Sequence, residues 1–197
     1  MDGSGIREKY GIKKDDILLF FMGWIYEFSG MKEVAESLAA TDNDKIKLMI
    51  VGEGDLYEPL LKMRSEKNLD GRLILTGKVP FGDIPKYLAA ADICLLPAYR
   101  NDIMMNIVPI KIYEYMAMGK PVIATALPGI QKEFGSESGI NYIENPGDVL
   151  EKSMWLKNNN KIEDEGKKAY SYVKDLTWDS ITDEFENILN NSMRFIN

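Results

Sequence analysis

Lys111 and Glu114, three residues apart in the stretch NIVPIKIYEYMAMGKPVIAT (residues 106–125), are the side chains whose types and spacing could do chemistry. Three residues is close to one helical turn, so on a helix both project from nearly the same face. A cation placed there can neutralise a phosphate, and a carboxylate can accept hydrogen bonds from hydroxyls. The helix carrying them is predicted to open near Pro109, with Asn106 just upstream as a residue type that starts helices. The helix dipole opposes a lysine in the first turn by about 0.3–1 kcal/mol, while the unpaired N–H groups there attract anions. A bound phosphate accounts for both features. The competing explanation is a solvated i,i+3 ion pair, worth only about 0.2–0.5 kcal/mol.

The elements that must hold this pair follow from the rest of the chain. Gly119 ends the helix as a left-handed C′ residue, Pro121 follows at once, and PVIAT has the composition of a buried strand. Upstream, ILLFFMG (17–23) is a continuous apolar run closing on glycine, the pattern of a fully buried parallel strand. Further strands are predicted at 47–51, 73–76, 93–96 and 139–143. Helices are predicted around 6–10, at 31–40, 56–68 and 83–90, from Pro146 to 157, and through the charged run 161–174. A last helix carries Trp178, Ile181, Phe185, Ile188, Leu189 and Ile196 as one apolar stripe. Strand and helix alternate, which calls for an α/β domain: an open parallel, Rossmann-like sheet with helices on both faces, three layers deep. Such sheets bind ligands beyond the carboxyl ends of their strands, where Gly23, Gly52, Gly77 and the loop before Pro109 all fall.

Composition narrows the chemistry further. A net charge of −7 with scattered Lys and Arg argues against a nucleic-acid partner, and no apolar run approaches the roughly 20 residues of a membrane span. The absence of histidine excludes His-based triads and His metal sites within these residues. Cys94, the single cysteine, sits in the apolar run ICLLP and reads as a core residue in a reducing, cytoplasmic setting. The expected organisation is a linker or domain entry over 1–16, a Rossmann-like domain over 17–176, and a C-terminal helix over 177–197.

The segment PIKIYEYMAMGKPVIA resembles the nucleotide-sugar-binding segment of the GT-B-fold group 1 glycosyltransferases. The resemblance implies that Glu114 hydrogen-bonds the ribose of a donor nucleotide. Many members carry a second glutamate eight positions earlier that contacts the sugar, and this chain has Asn106 there. They also carry an Arg after the glycine matching Gly23 and a Lys before the glycine matching Gly30, which clamp the diphosphate. Here those positions hold Trp24 and Ser29, so Lys111, or Lys32 one turn into the following helix, is expected to supply the charge. By the same comparison Gly77, Lys78 and Val79 form the loop under the nucleobase. YRNDIMMN (99–106) lies where the donor sugar should be, and Ile107, Pro109 and Ile110 complete the expected substrate-binding set.

The implied protein is the carboxy-terminal, donor-binding half of a GT-B glycosyltransferase that moves a sugar from a nucleotide diphosphate sugar to an acceptor hydroxyl. Neither metal nor cofactor is expected, and no catalytic residue is assigned. The partners expected are the donor and a missing amino-terminal acceptor half, through which any peripheral membrane contact would be made. Alone, the chain is expected to be inactive. The alternative, motivated by Trp24, Ser29 and Asn106, is a catalytically degenerate nucleotide-binding or scaffold domain of the same fold. Base, sugar, acceptor and stereochemistry stay open at this stage.

Overall fold

A computed structural model describes residues 2–193. Its centre is a parallel sheet of six strands: β1 (Ile17–Met22), β2 (Ile46–Val51), β3 (Leu73–Leu75), β4 (Ile93–Leu96), β5 (Val122–Thr125) and β6 (Ile140–Ile143), in the order β3-β2-β1-β4-β5-β6. This is the doubly wound order of a Rossmann fold. The chain reverses its direction of travel across the sheet between β1 and β4, which leaves a crevice beyond their carboxyl ends.

Successive side chains of a strand point to opposite faces, so the apolar run ILLFFM feeds two cores. Leu18, Phe20 and Met22 pack with α5 (Lys111–Ala117), α6 (Pro128–Phe134) and α8 (Ile162–Val173) on one face. Ile17, Leu19 and Phe21 pack with α2 (Met31–Ala40), α3 (Tyr57–Glu66) and α7 (Val149–Asn158) on the other. All six residues are buried, which is why no polar alternation marks this strand. Cys94 is buried in β4 within the first of these cores, and burial pushes its thiol pKa up, so it is a packing residue.

Three boundaries differ from expectation for identifiable reasons. The first residues do more than connect: α1 (Ser4–Lys9) packs on α4 (Ile84–Ala90), and the Arg7 guanidinium donates to the Ala90 carbonyl and to Asp92, at 2.9 and 3.1 Å. α5 opens at Lys111, not near Pro109, and its N-cap is Ile110 rather than Asn106. The segment before it folds on itself instead, because the Asn101 side chain accepts the Met104 N–H at 2.8 Å and its carbonyl accepts the Met105 N–H at 3.0 Å. Pro109 stays outside the helix but contributes its carbonyl to the Ile112 N–H at 3.1 Å.

The end of α5 is as predicted. Gly119 has φ +64°, and the Gly119 and Lys120 N–H groups close on the Met116 and Tyr115 carbonyls at 2.9 and 3.1 Å. At the carboxy-terminal side, α9 (Trp178–Met193) starts from a reciprocal cap in which Thr177 and Ser180 each accept the other's N–H. Its stripe of Trp178, Ile181, Phe185 and Leu189 is exposed, and Ile196 lies outside the described residues.

Candidate functional site

β1 and β4 pair directly only at Leu19–Ile93 and Phe20–Cys94, so by Met22 they have parted. The Gly23 N–H still reaches the Val51 carbonyl of β2 at 2.9 Å, which turns both backbone groups of Met22 to the side that β4 has left. Buried backbone groups need partners, and α5 provides them. The Tyr115 hydroxyl accepts the Met22 N–H at 3.0 Å, and the Lys111 ammonium donates to the Met22 carbonyl at 2.8 Å. Being four residues apart, the two side chains share one face of the helix.

Each of the pair is held by its surroundings. Tyr115 is fully buried, edge-on to Phe20 with ring centroids 6.1 Å apart, and burial keeps its hydroxyl protonated. The Lys111 ammonium sits over the Phe21 ring, 4.4 Å from its centroid. Burial lowers its pKa to about 8, against the opposing influence of the Glu114 charge. Gly23 makes room for it: φ is +112°, and a Cβ at this position would lie 2.9 Å from Lys111 Nζ. An alanine would be strained in its backbone and would crowd the ammonium.

Two hollows open beside this clamp. The first, about 380 Å³, is lined by Gly23, Lys78, Val79, Ile110, Lys111 and Glu114, so six of the nine expected substrate-binding residues meet there. Lys78 is ion-paired to Glu53 at 3.3 Å, and Phe81, 86% exposed, stands at the wall beside Val79. Lys111 and Glu114 form no ion pair within 4 Å among the described residues, so the competing surface-pair explanation does not describe them. The second hollow, about 410 Å³, is lined by Ile107 and Pro109 together with the aromatics Trp24, Tyr26 and Phe28. Trp24 and Lys111 line both.

Asn106 is exposed and lines neither hollow. Ser29 is buried in the second, its hydroxyl accepting the Met31 N–H at 3.4 Å. Lys32 is exposed beside Glu36 and lines neither, whereas Lys111 lines both. Arg100 pairs with Glu144 and Asp102 is exposed. Sequence reading missed Tyr115, Tyr26, Phe28, Phe81 and Glu53. For Tyr115 the signal was present, four residues after Lys111 on the same face; the others stand on loops whose paths no periodicity reveals.

Residues 4–191 match the family model described as glycosyl transferases group 1. The chain belongs to the group 1 glycosyltransferases. Among curated relatives, a Bacillus subtilis protein named for a glycosyltransferase role in teichuronic acid biosynthesis, TuaC, is 30% identical over 66% of this chain and 30% of its own length. The 2-deoxystreptamine glucosyltransferase of Streptomyces kanamyceticus is 23% identical over 77% of this chain and 38% of its own. The chain therefore spans about a third of the length of these glycosyltransferases. Among solved structures, Anabaena HepE in complex with UDP superposes with a TM-score of 0.79 at 16% identity, covering 96% of this chain and 52% of that one. The C-terminal domain of LpcC, a group 1 family protein from Francisella tularensis, superposes with a TM-score of 0.68 at 17% identity, covering 88% and 96%. These likenesses establish the fold as the Rossmann-like C-terminal domain of a GT-B glycosyltransferase. Among the described residues no helix is long and apolar enough to cross a membrane, and no group of three or more His, Cys, Asp or Glu could hold a metal ion.

Proposed function

We propose that this chain is the donor-binding half of a glycosyltransferase and that it takes a nucleoside diphosphate sugar in the hollow beside the Met22 clamp. One observation carries the reading: the Lys111 ammonium and the Glu114 carboxylate, both partly withdrawn from solvent, open into the same cavity at the sheet's reversal point. The base lies against Lys78 and Val79, Glu114 accepts from the ribose hydroxyls, and Lys111 neutralises the diphosphate. In the transfer, the bond from the sugar's anomeric carbon to the diphosphate oxygen breaks, and its electron pair leaves with the nucleoside diphosphate. The acceptor oxygen bonds the anomeric carbon, and its proton passes to a general base. Lys111 stabilises the charge that develops on the leaving diphosphate.

Two facts favour a second reading, a degenerate nucleotide-binding domain: Trp24 and Ser29 carry no charge, and Asn106 stands outside both hollows. Calorimetric titration with UDP, GDP, dTDP and ADP tests whether the site binds at all. Binding of one of them, weakened in Lys111→Met, is expected. If none binds, the donor-binding reading falls. Sugar transfer by the chain joined to an acceptor half then separates an active enzyme from a degenerate one.

A further inference from the structure

Trp24 stands where the two hollows meet, since it lines both, and its main chain is held on either side. Before it, the Gly23 N–H donates to the Val51 carbonyl at 2.9 Å. After it, the Ile25 N–H donates to the Glu53 carbonyl at 2.9 Å, the Ile25 carbonyl accepts the Leu56 N–H at 3.1 Å, and the Ile25 side chain is wholly buried. The neighbouring loop presses so closely that a Cβ on Gly54 would lie 2.4 Å from the Ile25 nitrogen. Further along, the Tyr99 N–H donates to the Phe28 carbonyl at 2.9 Å. Trp24 itself is 47% exposed on this anchored loop. A large aromatic ring held in that way is a ready contact surface, because little backbone freedom remains to be lost when a ligand covers it.

The aromatic rings differ in what they offer. Tyr26 and Phe28 stack 4.9 Å apart at 5°, so one face of each is taken. Trp24 meets Tyr26 at a tilt, 51° at 6.4 Å, and stacks on no ring among the described residues. The side chains lining the second hollow also carry polar groups: the Trp24 indole N–H, the Tyr26 and Ser29 hydroxyls and the Lys111 ammonium. An aromatic face beside hydrogen-bonding groups matches a sugar ring, which has C–H groups on its face and hydroxyls round its edge.

Resting on the donor-binding reading, we propose that Trp24 is a substrate-binding residue whose indole face carries the sugar ring of the donor. With the nucleoside in the first hollow and the diphosphate at Lys111, the group on the far phosphate passes Trp24 into the second, because these two residues line both. Covering the ring face is worth about three- to tenfold in affinity, and a plain nucleoside diphosphate does not gain it.

The test titrates each plain diphosphate against its sugar conjugate: UDP with UDP-glucose, GDP with GDP-mannose, dTDP with dTDP-glucose and ADP with ADP-glucose. In the pair whose diphosphate binds, Trp24→Leu should weaken the sugar nucleotide about fivefold and leave the plain diphosphate within about twofold. Trp24→Phe keeps an aromatic face and should lose less. A second measurement leaves Trp24 in place. Trp155 and Trp178, 51% and 77% exposed, are the other tryptophans of the chain, and replacing both by Phe makes Trp24 the sole indole emitter. Saturating sugar nucleotide should shield that emission from acrylamide, and saturating plain diphosphate should shield it less. Equal weakening of both ligands in Trp24→Leu would put the indole against the nucleotide, overturning the sugar contact and leaving the donor site standing. Unchanged affinity for both, or equal shielding by both, overturns it too. Failure of all four plain diphosphates to bind the wild type removes the donor-binding reading, and this inference with it.

Discussion

Lys111 closes the end of β1 by donating to the Met22 carbonyl, 2.8 Å away, where the departure of β4 leaves that carbonyl without a strand partner. Its ammonium is thus a structural group and the cation of the cavity at once, and burial holds its pKa at about 8. A bound diphosphate favours the charged form, so binding should raise that pKa and draw a proton from solvent. Titration with the preferred nucleoside diphosphate at pH 8, in two buffers of different ionisation enthalpy, should show uptake of about half a proton. Uptake should fall towards zero near pH 6.5, and affinity should decline above pH 8. No uptake at pH 8 would put the diphosphate away from Lys111.

The same depressed pKa sets the sign of a stability effect. The unfolded lysine titrates near 10.5 and the folded one near 8, so between these values the unfolded chain binds more protons and stability rises with pH. The destabilisation is fully present below pH 8, where both forms are charged. Lys111→Met removes a buried charge, a gain that offsets the loss of the donor to the Met22 carbonyl, and should lie within about 1–2 kcal/mol of wild type at pH 7. It should also lose the rise between pH 8 and 10. Denaturant midpoints across that range measure it, and a wild-type curve flat from pH 8 to 10 would contradict the buried ammonium.

Tyr115→Phe deletes the oxygen that accepts the Met22 N–H and leaves the ring in place. An unsatisfied buried donor costs about 1–3 kcal/mol, so the variant should unfold at correspondingly lower denaturant. The loop at Gly23 hangs from this point, and nucleotide affinity should fall with stability. A variant as stable as wild type would mean that water reaches Met22.

How much of this was legible follows from where the signals live. ILLFFM is fully buried, so hydrophobicity alone placed β1, and the Gly119 turn declared itself because a left-handed residue after a helix is a local requirement. The face shared by Lys111 and Glu114 was likewise local, and the structure brings both into one cavity. What could not be read is set by partners far along the chain. Tyr115 looks like any core aromatic until β4 is seen to part from β1, 93 residues from its partner Met22. Asn106 has the residue type of a cap, yet Asn101 had already folded the preceding segment into a turn of its own. Trp24, Tyr26 and Phe28 line the second hollow from a loop and the single 3-10 turn that follows it, too short for any period to distinguish a lining side chain from a solvated one.

The exposed stripe on α9 gives a prediction about stability alone. Phe185 is 59% exposed, so Phe185→Glu should change the free energy of unfolding by less than about 0.5 kcal/mol. It should also reduce binding of an apolar dye or concentration-dependent association, because it breaks a contiguous apolar surface. A loss above about 1 kcal/mol would show that the stripe packs on its own domain.

The last prediction separates the two side chains with which the sequence began, since Glu114 and Lys111 line one cavity but should touch different parts of one ligand. Glu114→Gln replaces a charge-assisted hydrogen bond to a ribose hydroxyl with a neutral one of about half the strength, so nucleoside and nucleoside diphosphate should weaken alike, by about 1 kcal/mol. Lys111→Met should weaken the diphosphate and leave the nucleoside nearly untouched, because the ammonium has nothing to neutralise on an uncharged ligand. That loss should shrink only partly with salt, since burial shields the ammonium from mobile ions better than an exposed lysine. Calorimetry of both ligands against both variants, at low and high ionic strength, gives the full comparison. A Glu114→Gln that spares the nucleoside would remove the ribose from that carboxylate. A Lys111→Met that weakens nucleoside and diphosphate equally would mean that its part is only to hold Met22.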